Sequence, residues 1–117
     1  MSQVDNWENV TGFLERCEVS QKAYNEYCAK VPPGQRQGRH FMRNVPERPD
    51  NPIWHARTNV RALLAKGIDM LFCVDTLLVD PVKLDSISTA LLVSELRPDE
   101  CGTTKHNGKT WIRLWWD

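Results

Sequence analysis

Apolar side chains recur at helical spacing from the start of the chain. Trp7, Val10, Leu14 and Cys17 fall three or four residues apart, and Phe13 widens the stripe. This predicts an amphipathic helix over about residues 4–16. Ser20 is a suitable N-cap for a second helix to Lys30, with Tyr24, Tyr27, Cys28 and Val31 on one face. Pro32-Pro33-Gly34 stops it, so residues 1–31 read as an antiparallel helical hairpin. Residues 32–52 then hold five of the seven prolines and show no periodicity. They predict a Pro/Arg-rich loop, and a loop that long in a small domain commonly carries function.

Periodicity resumes at residue 53. Asp50 or Asn51 caps a helix with Pro52 at its first position, and Ile53, Ala56, Val60, Leu63 and Leu64 form its core stripe. Gly67 stands at the helix end, where a left-handed residue is expected, and Ile68 supplies the accompanying apolar contact. The run MLFCVDTLLV, residues 70–79, is too short for its period to separate strand from helix. Its place after a helix end favours a short strand at 70–74. Asp80-Pro81 predicts a further helix, N-cap then first position, with Leu84, Ile87, Leu91, Leu92 and Leu96 as its stripe. Arg97-Pro98 ends it, because the residue before proline avoids the α region.

The chain closes on TTKHNGKTWIRLWW, where Asn107-Gly108 is a strong hairpin signal. Alternation sets Thr110, Ile112, Leu114 and Trp116 on one side and Trp111, Arg113 and Trp115 on the other. Tryptophans on both sides mean that neither is wholly solvated. The expected fold is therefore α+β, a single domain over residues 1–117. A helical hairpin is followed by a winged-helix-like module over 53–117: helix, strand, helix and C-terminal β-hairpin. The stretch LDSISTALLVSELRPDECGTTKHNGKTWIRLWW, an apolar helix leading to a hairpin of the form basic-x-Gly-Lys-x-aromatic, resembles the C-terminal winged-helix ends of some phage and plasmid primase-helicases. That resemblance implies a helix that enters a DNA groove and a wing that touches the backbone.

Charge adds to this picture. The chain has 117 residues, with 15 basic and 15 acidic side chains and no net charge. Zero balance excludes a uniformly basic clamp, an acidic DNA mimic and a polybasic membrane binder. The distribution is uneven, however. Residues 31–66 carry Arg36, Arg39, Arg43, Arg48, Arg57, Arg61 and Lys66 against only Glu47 and Asp50. Both flanking segments are acidic. On the winged-helix reading, residues 83–94 form the recognition helix and offer Lys83 and Ser88 to DNA, while Lys105, Lys109 and Arg113 belong to the wing. Arg36, Arg39 and Arg43 form an extra arm on the backbone, with Phe41 beside them able to stack. Asp85 and Glu95 within that helix oppose this, since DNA readers are usually more basic there.

Catalytic patterns are absent. GQRQGRHF lacks the Gly-Lys-Ser/Thr ending of a phosphate-binding loop. Cys101 and His106 have no second Cys/His pair at zinc spacing, and no nucleophile accompanies His40 or His55. No cofactor is expected. The first residues show no basic segment leading to an apolar one, and the apolar stretch 68–82 holds three aspartates. A cytoplasmic protein with reduced cysteines is the expectation, with no membrane partner. Three functions stay open. The first is a non-catalytic DNA-binding regulator or replication accessory of phage or plasmid type, with duplex DNA as its partner. The second is a protein-binding inhibitor or adaptor, such as a mobile-element inhibitor of host defence, that uses Phe41, Trp111 and Trp115 as anchors. The third is a small oligomerising domain.

Overall fold

The computed structural model describes residues 7–30 and 47–117. Its order is β1 (Glu8–Asn9), α1 (Val10–Lys30), α2 (Pro52–His55), α3 (Arg57–Ala65), β2 (Met70–Cys73), β3 (Thr76–Val79), α4 (Ser86–Leu96), β4 (Glu100–His106) and β5 (Lys109–Trp115). The fold is α+β. Five antiparallel strands stand in the order β1-β2-β3-β5-β4.

The N-terminal helical hairpin is replaced by one unbroken helix. Ser20 lies inside α1 and caps nothing, because no proline or glycine interrupts the chain between Phe13 and Lys30. The helix also starts later than its stripe suggests. Asn9 accepts the Thr11 N–H at 2.8 Å, an N-cap bond. Residues 8 and 9 pair instead with Phe72 and Leu71, and Trp7 leaves the helical stripe altogether. Val10, Leu14 and Cys17 are the buried side chains of α1. Arg16 reaches back to pair with the Glu8 carboxylate and ties the helix to its strand.

The second helical segment follows its sequence signals closely. Asn51 Oδ1 accepts the Trp54 N–H at 2.8 Å, and Pro52 opens the helix. Ala56 departs from helical geometry for one residue and splits the run into α2 and α3. At its end Gly67 takes φ 88°, its N–H donates to the Leu64 carbonyl at 3.0 Å, and the Ile68 N–H donates to Leu63 at 3.3 Å. That pair of bonds is a Schellman motif, and Ile68 is buried as its apolar closure.

Two expectations downstream are corrected. The strand at 70–74 ends at Cys73, and residues 76–79 form a partner strand, so MLFCVDTLLV is a hairpin turning at Val74-Asp75. The helix expected from Asp80-Pro81 starts five residues later. Asp80 Oδ1 accepts only the Val82 N–H, at 3.0 Å, and one further bond from Leu84 to Pro81 closes a turn. The cap of α4 is Asp85, which accepts the Ser88 N–H at 2.6 Å. In consequence Leu92 and Leu96 are buried, while Ile87 and Leu91, expected in the same stripe, are 72% and 61% exposed.

All four described helices pack on one side of the sheet. Val10, Leu14, Ile53, Val60, Leu92 and Leu96 meet Met70, Leu77, Val79 and Leu114 in a single core. The C-terminal hairpin turns at Asn107 (φ 54°) and Gly108 (φ 74°), the two positive angles that a type I′ turn requires. As alternation predicts, Ile112, Leu114 and Trp116 face or adjoin the core.

Candidate functional site

Strand pleating sends every second residue of β3 and β5 away from the helices. Leu78 and Trp111 are 1% and 6% exposed, yet neither belongs to the main core. They form a second, smaller apolar layer on the outer face of the sheet. Along β5 that face carries Lys109, Trp111, Arg113 and Trp115, four residues at strict alternation. An antiparallel sheet tolerates an open face of this kind because only one side must bury a core.

Side chains from both ends of the sheet close over this layer. The Trp7 and His106 rings lie 5.4 Å apart, and His106 meets the edge of Trp111 at 6.5 Å. Trp111 Nε1–H donates to the His106 carbonyl at 3.2 Å, so its polar atom is satisfied inside the layer. Between Trp7 and the β4–β5 hairpin opens a cavity of about 150 Å³, floored by Leu78 and edged by Thr104, Lys105, His106 and Arg113.

The cations of the face are held against aromatic rings. Lys109 Nζ sits 4.7 Å from the centre of Trp111 and also bonds the Asp80 carboxylate at 2.6 Å. Arg113 lies 5.9 Å from the Trp115 ring and 3.6 Å from Glu100. Partial burial pushes the Asp80 carboxyl up. The hydrogen bonds from Lys109 and the Val82 N–H, with the charges of Lys109 and Lys83, outweigh that and hold it below the ordinary carboxylate range.

The site residues expected from the sequence are thus partly gathered. Lys109, Trp111, Arg113 and Trp115 share the outer face, whereas Lys105 pairs with Thr110 and pleating turns its side chain toward the helix side. Lys83 lies in the turn before α4, close enough to influence Asp80. Ser88 belongs to α4, which packs on the opposite side of the sheet, and its N–H is engaged by Asp85. Arg36, Arg39, Arg43 and Phe41 lie outside the described residues. Trp7 was not expected here. Its spacing to Val10 and Leu14 assigns it to a helix, and only the β1–β2 pairing reveals its position. Cys17, Cys73 and Cys101 form no disulfide, and no three potential ligands cluster among the described residues. No described helix is long and apolar enough to cross a membrane. No protein family matches the chain, and neither does any curated protein or any solved structure.

Proposed function

We propose that this protein is a small, non-catalytic DNA-binding accessory protein of the kind used in phage or plasmid replication and regulation. The observation that carries the reading is the row Lys109, Trp111, Arg113 and Trp115 on one open sheet face, with Trp7 and His106 folded over it. Trp111 is buried and Lys109 is held by Asp80, which leaves Arg113 beside the rings of Trp7, His106 and Trp115, a combination that suits a phosphate backbone with bases beside it. In winged-helix terms the β4–β5 hairpin is the wing, and its outer face, rather than α4, carries the charge and the aromatic rings.

Fluorescence polarisation with labelled DNA tests this. Binding is expected at low salt and should weaken steeply as salt rises, since each phosphate contact releases counterions. Replacing Arg113 with glutamine should weaken binding and flatten the salt slope by about one contact. Absence of binding at low salt refutes the reading.

A second reading, a self-associating domain, is favoured by one observation. Ile87 and Leu91, one turn apart on α4, and Val82 in the turn before it are each more than half exposed. Antiparallel crossing of two copies about Thr89 sets Ile87 of one over Leu91 of the other and flanks them with the small side chains of Ser86, Ala90 and Ser94. On that reading light scattering gives a dimer mass that Leu91→Glu reduces to a monomer mass. A monomer in the unaltered protein at high concentration removes it.

A further inference from the structure

We infer that the cavity between Trp7 and the β4–β5 hairpin takes one unpaired nucleobase, so that the nucleic acid bound on this face is single-stranded. The inference rests on the DNA-binding reading and narrows it to one form of DNA.

Three features of the cavity converge on such a ligand. Its volume of about 150 Å³ suits a single planar ring and not a folded peptide or a second duplex strand. Its walls include the flat π surfaces of Trp7 and His106, whose rings meet at 59°, while Leu78 is the floor. A base in a duplex already has both faces stacked and cannot use that surface, whereas an unpaired base can. The remaining lining supplies what a base and its phosphates require. The Thr104 hydroxyl can donate or accept at a base edge, and the Thr76 hydroxyl, which donates to Asp75 at 3.1 Å, can accept. Arg113 stands at the rim, where a flanking phosphate of a bound base would lie.

The electrostatic arrangement also leaves donors for a phosphate. Arg113 and Glu100 are 3.6 Å apart, beyond hydrogen-bonding distance, so the guanidinium N–H groups are not committed to that carboxylate. Lys109 is different. Its short bond to Asp80 fixes the hairpin beside the cavity, so it is a positioning residue, not a rim donor.

The test compares a fluorescein-labelled twelve-nucleotide oligodeoxythymidine with its oligodeoxyadenosine duplex at one low salt concentration. The single strand should bind at least tenfold more tightly and quench tryptophan fluorescence. Trp7→Ala should weaken single-strand binding by about tenfold, the value of one stacked base, and Trp7→Phe should restore most of it. Circular dichroism on both variants confirms that the fold survives. If the duplex binds as tightly as the single strand, or if Trp7→Ala leaves single-strand affinity unchanged in a folded protein, the base cavity is wrong and the DNA-binding reading stands. If neither form binds, both fall.

Discussion

Val74 is the residue most at odds with its surroundings. It takes φ 54° at the turn between β2 and β3 and is 83% exposed. A β-branched side chain in the left-handed region meets its own backbone and gains no burial in return. Asn107 and Gly108 make the corresponding turn of the C-terminal hairpin with residues that suit positive angles. Val74→Asn should therefore stabilise the fold by about 1 kcal/mol, since asparagine tolerates this region and avoids the entropy cost of glycine. A rise in the urea midpoint at constant slope checks it, and a fall would show that Val74 makes a contact that outweighs its strain. Asn51 is the opposite case. Its Oδ1 caps α2, while its Nδ2 lies 3.8 Å from the Cys17 sulfur, so one side chain starts a helix and links it to α1. Burial pushes the Cys17 thiol up.

At the scale of elements, the sequence is legible where local chemistry decides. Asn51-Pro52, Gly67-Ile68, Asn107-Gly108 and Arg97-Pro98 mark boundaries that the structure keeps, because each acts through its own backbone geometry. Elements set by partners are not legible. Glu8 and Asn9 extend because β2 offers them an edge to pair with, and that pairing moves Trp7 from a helical stripe to the outer sheet face. The Val74-Asp75 turn carries no glycine or asparagine, so nothing local announces the β2–β3 hairpin. Asp80-Pro81 has the form of a helix start, but Asp80 also bonds Lys109 on β5, 29 residues away. That long-range bond accompanies an isolated turn, and Asp85 caps the helix instead. Half of the candidate site was readable for the same reason. Alternation along β5 groups Trp111, Arg113 and Trp115 without further knowledge, whereas their meeting with Trp7 depends on tertiary contact.

Across the whole molecule the sheet separates two surfaces of different character. One side holds the helices and the main core, with Ile87 and Leu91 left at its exterior. The other holds the aromatic layer and its cations. The Asp80–Lys109 bond joins the chain entering α4 to strand β5 of the outer face, and Asp80 is only 14% exposed. This bond makes stability depend on pH. The Asp80 carboxyl is held below its ordinary range when folded, so the unfolded chain binds the proton more readily. Its contribution is complete above about pH 4, the unfolded carboxyl range, and is lost as pH falls toward the lowered folded value. Asp85 shifts in the same direction through its bonds to Ser88, so a residual slope persists without Asp80. Asp80→Asn should lower the urea midpoint at pH 7 and change it much less at pH 2, which narrows the difference between the two conditions. Lys109→Met should do the same, because it removes the other half of the bond. Equal losses at both pH values for Asp80→Asn would mean that the side chain acts through packing and turn geometry, not through its charge.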